Sequence, residues 1–188
     1  MDLKTTTFTA QTKALDELRQ DCANRQKKGL HFIMASVVIW AAILVVHMTS
    51  LPIETKNLLT FCCAAPLLPL AWMISKAIKI DFQGKGNPLT QLGLIFSVNQ
   101  ILYILIAMWV FSAVPEKMLM VYAMIFGAHL MPYSWLYQSK SYMLLSILIP
   151  IAALICGLMA EPYVLAIMML GFEVAFVVGL KLEINNNK

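Results

Sequence analysis

The chain has 188 residues, 60% hydrophobic and only 13% charged, with a net charge of +4 and a mean hydropathy of +0.75. Soluble domains carry roughly 25% charged residues, so an ordinary soluble enzyme or binding domain is excluded. The excess basic residues border apolar segments, where they set membrane orientation and do not build a nucleic-acid-binding face.

Residues 1–29 are polar. Between Thr12 and Lys28, Ala14, Leu15, Leu18 and Cys22 recur at helical spacing among charges, which predicts a short amphipathic helix on the inner membrane surface ending near Gly29. The length of this polar stretch argues against a cleavable signal peptide. A bilayer core of about 30 Å takes around 20 apolar residues per helix. Six spans follow on that criterion, over about 30–50, 57–78, 90–114, 117–138, 141–160 and 162–182. Leu51-Pro52, the Gly84-Lys85-Gly86-Asn87-Pro88 run, Val114-Pro115 and Glu161-Pro162 punctuate them. The expected fold class is therefore an all-α integral membrane bundle of six transmembrane helices. Residues 1–29 form its cytoplasmic segment, 30–182 the membrane domain and 183–188 a cytoplasmic tail.

Orientation follows from the basic residues. Lys4, Lys13, Arg19, Arg25, Lys27, Lys28, Lys76, Lys79, Lys85, Lys140, Lys181 and Lys188 fall on one side, and only Lys56 and Lys117 on the other. The basic side is cytoplasmic, which places both termini inside a cell or plasma membrane. A wrong span count would spoil this asymmetry.

Polar side chains recur about ten residues into three spans, the depth of the bilayer midplane at 1.5 Å per residue. Asn99 and Gln100 lie in the third, His129 in the fourth and Glu173 in the sixth. Ionisable groups in hydrocarbon cost about 2.5 kcal/mol or more and turn toward partners. A carboxylate, an imidazole and two amides at one level suit a proton, a cation or a polar ligand, and an unperturbed imidazole pKa of about 6.5 suits proton transfer. The same residues serve equally as interhelical glue. Pro66, Pro69, Pro132 and Pro150 fall in the middle portions of their spans, where broken helices accompany transporter sites but also ordinary kinks. Pro69-Leu-Ala-Trp72 and Pro132-Tyr-Ser-Trp135 occupy similar depths, as kinks followed by interfacial tryptophans or as traces of a duplication.

Other residues carry weaker signals. Cys62-Cys63 resembles a soft-metal pair but reads better as buried small residues. Cys22 and Cys156 complete the four cysteines, which form no disulfide framework. His31 and His47 sit near the ends of the first span, and Tyr133, Trp135, Tyr137 and Tyr142 suggest an aromatic belt. Gly127, Gly157, Gly171 and Gly179 permit close helix contacts. No P-loop, Gly-x-Ser-x-Gly, His-Glu-x-x-His or dinucleotide fingerprint is present. The expectation is no catalytic residue, no metal and no cofactor.

Two stretches, Asn87-Pro-Leu-Thr-Gln-Leu-Gly93 leading to Asn99, Gln100 and Tyr103, and His129-Leu-Met-Pro-Tyr-Ser-Trp-Leu-Tyr137, resemble a family of small multi-pass bacterial membrane proteins classed as a domain of unknown function. The resemblance implies an inner-membrane setting and no activity. It marks Asn99, Gln100, Tyr103, His129, Pro132, Tyr133 and Trp135; Glu173 stands outside it. The expected ligand-binding set is Asn99, Gln100, Tyr103, His129, Tyr133, Trp135 and Glu173. One expectation is a transporter or small-ligand or proton-binding protein using that set. A second is a non-catalytic scaffold or subunit acting through helix and partner contacts, and a third an intramembrane enzyme acting on lipid around His129. The expected partners are the lipid bilayer and a small molecule or proton, with a second copy allowed and no nucleic acid.

Overall fold

Alternating three- and four-residue spacings dictate the central helix pair. In α2 (Leu30–Met48), Ile33, Ser36, Trp40, Ile43 and His47 form one buried stripe. In α9 (Pro162–Asn186), Ala166, Met169, Glu173, Phe176 and Leu180 form another. Such stripes interlock along two nearly aligned helices, and α2 against α9 is the most extensive pairing in the fold. The structure, a computed structural model, describes residues 3–82 and 86–186, with side chains from residue 8 onward.

Around that pair run α1 (Leu3–Arg25), α3 (Ile53–Ala64), α4 (Leu67–Ala77), α5 (Leu89–Ala113), α6 (Met118–Ala128), α7 (Met131–Leu136) and α8 (Lys140–Met159). Among the described residues there is no strand, and six helical runs of 20–25 residues are long and apolar enough to cross a membrane. The second and fourth expected spans are each broken. α3 gives way to α4 at Ala65-Pro66, and α6 to α7 at His129-Leu130. Pro69 and Pro132 then lie in the first turns of α4 and α7, where a missing backbone N–H leaves no bond unmade. Pro150, by contrast, stays within continuous α8. α9 runs to Asn186, so most of the expected tail is helical.

Glycines bring α6 close to α8, the second most extensive pairing. A Cβ on Gly127 would meet Ile149 and Pro150, and one on Gly157 would meet Met120. Gly179 lies against Ser141, whereas Gly171 has nothing within 4 Å and makes no such contact. α5 is peripheral, packing on α6 and α7 through Ala107, Val110 and their neighbours.

Of the sequence expectations, Gly84 and Lys85 of the expected turn and Lys188 lie outside the described residues, as does the Lys4 side chain. α1 starts earlier than Thr12; Cys22 and Ala23 face the bundle, while Ala14, Leu15 and Leu18 remain exposed. The aromatic belt is also corrected. Tyr137 and Tyr142 are buried and pack on each other with ring centroids 5.7 Å apart, so of the four aromatics Trp135 is the exposed one. Cys62 is exposed and Cys63 half-buried, because α3 turns that side outward. His31 and His47 are buried within the bundle.

Candidate functional site

The mid-helix polar residues do not assemble into one site. Glu173 is fully buried in the α2–α9 stripe, where the Ser36 hydroxyl donates to its Oε2; its Oε1 has no hydrogen-bond partner. His129 turns to its own helix, with Nδ1 2.5 Å from the Phe126 carbonyl oxygen. A carbonyl only accepts, so this bond fixes a proton on Nδ1. No hydrogen bond or ion pair joins His129 to Glu173. Asn99 points outward from α5, its Nδ2 donating to the Tyr103 hydroxyl at 2.9 Å. Gln100 is half-buried and makes no side-chain hydrogen bond. Helix rotation sends these groups toward different neighbours.

The structure concentrates polar bonds instead at one end of the bundle, beneath α1. Helices leave their last carbonyls without intrahelical donors, and cations near those ends are favoured by the helix dipole. α1 and the turn after it supply those donors. Arg19 donates from Nε and Nη2 to the Trp135 carbonyl at the end of α7 (3.0 and 2.6 Å), and its guanidinium covers the Trp135 ring at 4.4 Å. Lys27 Nζ donates to the Ile78 carbonyl at the end of α4, 2.8 Å away. Lys28 Nζ reaches Glu183 Oε2 at 2.8 Å and the Gln138 carbonyl at 3.3 Å. At the opposite end, Lys56 and Lys117 do the same work, donating to the carbonyls of His47 and Gly157 at 3.3 and 2.8 Å. The two exceptions to the basic-side tally are thus C-terminal caps of α2 and α8.

The link from α1 to α2 is strained. Lys27, Lys28 and Gly29 have φ of +44°, +51° and +69°, and a non-glycine residue in that left-handed region costs of order 1–3 kcal/mol. A tyrosine cluster holds the turn in place. Tyr137 donates to Gln26 Oε1 at 2.6 Å, and Tyr142 donates to the Lys28 carbonyl at 3.1 Å. Gly29 is required twice over, since a Cβ there would lie 3.0 Å from the Tyr142 hydroxyl.

The two segments that carry the family resemblance meet here. Tyr133, stacked on Tyr137 at 5.9 Å, donates to the Gly93 carbonyl at 3.0 Å and lies 2.7 Å from the Ser97 hydroxyl. Asn87 Nδ2 donates to the Leu18 carbonyl and to Asp21 Oδ2 at 2.8 and 2.9 Å, while its Oδ1 accepts from the Leu89 amide opening α5. Both segments therefore clasp α1. The sequence reading missed Ser36, Gln26, Lys28, Asn87 and Glu183 as members of these networks. Asn87 alone carried a signal, as the head of the first segment.

Charge follows the same contacts. The Asn87 amide, and then Arg25 at 2.7 Å, hold the Asp21 carboxyl below its usual range. Asp21 in turn raises the Arg25 guanidinium, chiefly through their hydrogen bond, whereas burial pushes the Cys22 thiol up. A depressed carboxyl stabilises the fold above its ordinary pKa of about 3.9 and loses that contribution as pH falls through the lower folded value. Acidification toward about pH 3 is expected to loosen α1 before the bundle. Hydrogen exchange would show protection lost over 18–25 while α3 stays protected. Asn87→Ala is expected to produce the same loosening at neutral pH, and unchanged protection in that variant would contradict the clasp.

Among the described residues, no group of three or more His, Cys, Asp or Glu side chains is placed to hold a metal ion. An all-α chain with six helices of bilayer-crossing length and a polar clasp at one end defines the class. The chain belongs to a family described as "Family of unknown function (DUF7010)", whose model matches residues 15–183. No curated protein and no solved structure matches it.

Proposed function

We propose that this chain is a multi-pass membrane protein with its α1 end in the cytoplasm, acting as a non-catalytic scaffold or subunit. The observation that carries the role is the dispersal of the mid-helix polar groups. Ser36–Glu173 ties α2 to α9, Tyr133–Ser97 ties α7 to α5, and His129 Nδ1 bonds the backbone of its own helix. Polar side chains that each bond a different neighbour hold helices together; they do not surround one ligand. The orientation draws support from the clustering of Arg19, Lys27 and Lys28 at the clasped end, following the positive-inside rule.

A second reading rests on one specific observation, the buried Glu173 Oε1 that lacks a partner. An intramembrane carboxyl of this kind is a candidate proton-binding group. One experiment separates the two readings. The purified chain is reconstituted in liposomes with a pH gradient, beside Glu173→Gln, Glu173→Ala and His129→Ala. A scaffold leaves the gradient intact in all four, while Glu173→Ala loses about 0.5–1.5 kcal/mol of stability with the one hydrogen bond that ties α9 to Ser36, the Ser36 hydroxyl keeping the Ile33 carbonyl, and Glu173→Gln stays near wild type. Gradient collapse by wild type that Glu173→Gln abolishes would overturn the scaffold role and establish proton passage.

A further inference from the structure

Asn99 has the placement of an interface residue. Along the outward side of α5, Ile95, Asn99, Leu102, Ile106, Trp109 and Ala113 recur at alternating spacings of four and three. That is the a/d repeat by which helices pair in parallel. The four large apolar members are 51–68% exposed, so this chain's own helices leave the stripe uncovered. Lipid would suffice for an apolar stripe. It does not suffice for Asn99, which lies ten residues from the start of the 25-residue helix, about 15 Å along it. Its one hydrogen bond runs within α5, to the Tyr103 hydroxyl. That leaves the Oδ1 and one amide hydrogen facing hydrocarbon, where nothing can bond them.

We propose that α5 is the seam of a parallel homodimer, in which Asn99 hydrogen-bonds Asn99 of a second copy. Two physical arguments select a second copy over another protein. Copies inserted in one bilayer share orientation and depth, so a two-fold axis along the membrane normal sets residue 99 opposite residue 99. A carboxamide is also its own complement, since one side's oxygen accepts from the other side's N–H. A single asparagine at an a position is the arrangement that fixes register in a parallel pair. Tyr103, one turn on, flanks the seam and orients the amide.

The inference rests on the membrane placement proposed above but not on the scaffold role. It is tested with the full chain in phosphatidylcholine–phosphatidylglycerol vesicles, by energy transfer between donor- and acceptor-labelled copies as lipid dilutes protein. Wild type is expected to dimerise. Asn99→Val should raise the dissociation constant about 3- to 20-fold, the range for one interhelical hydrogen bond, and Asn99→Gln should stay within about twofold. With the native cysteines replaced, Leu102→Cys or Ile106→Cys should give a disulfide-linked dimer and Ile155→Cys, on α8, should not. Transfer at the random-proximity level, no weakening by Asn99→Val, or crosslinking through position 155 instead would each overturn the seam. Extraction of the chain by alkaline carbonate would overturn the membrane placement itself, whereas an inserted monomer overturns the seam alone.

Discussion

Replacing Glu183 with alanine is expected to destabilise the protein by about 1.5–3 kcal/mol, the range for hydrogen bonds to a charged group, because the Glu183 side chain is itself only 20% exposed. The Lys28 side chain is only 6% exposed, and Glu183 holds its ammonium at 2.8 Å. Glu183 serves a second helix too, because its Oε1 accepts from the Ser141 amide and hydroxyl, both at 2.7 Å, in the opening turn of α8. An anion there complements the helix dipole. Alanine leaves the buried Lys28 ammonium with only the Gln138 carbonyl and uncaps α8 together. The Lys28→Met, Glu183→Leu double variant should recover most of the loss, since apolar replacement of a whole buried pair is often neutral or better. Chemical unfolding of the purified proteins in detergent measures all three. An alanine variant within about 1 kcal/mol of wild type, typical of an exposed pair, would contradict the buried assignment.

The second large effect is expected at Gly127. An alanine Cβ would sit 2.6 Å from both Ile149 Cγ2 and Pro150 Cδ, and 2.8 Å from Ile149 Cβ. Neither neighbour can swing away. A β-branched side chain in a helix has essentially one rotamer, and a proline ring is locked to the backbone. The clash must therefore push α6 from α8, at about 1–3 kcal/mol. Gly171→Ala is the internal control. Nothing lies within 4 Å of its added methyl, so the gain in helix propensity should leave that variant as stable as wild type or more so, by up to about 1 kcal/mol. Equal melting temperatures for the Gly127 and Gly171 variants would mean that α6 and α8 do not need their close approach.

Glu183 also shows where sequence reading stops. Beyond the last apolar run it looked like a residue of a solvated tail, and Lys28 looked like one more orienting charge. Their pairing spans 155 residues, and no local pattern encodes a contact between chain segments so far apart. Asn87 was half legible. It headed a segment marked by resemblance, but its bonds to Leu18 and Asp21 depend on where α1 folds back.

What the sequence determined by itself is the set of helices and most of their ends. Apolar runs long enough for a bilayer core leave backbone groups no partners except within a helix, so length and hydropathy suffice. Leu51-Pro52, Val114-Pro115 and Glu161-Pro162 supply the stops. The position of Asn99, His129 and Glu173 along their helical runs was equally readable, because rise per residue is fixed. Tertiary structure decided which way each of them points. Direction depends on the rotation of every helix about its axis, and that is set by packing partners: the interlocking stripes of α2 and α9 turn Glu173 inward to Ser36, while the peripheral position of α5 leaves Asn99 facing out. The clasp of α1 belongs to the same category, since its strained turn and long-range bonds exist only once the helix ends they cap have been brought together.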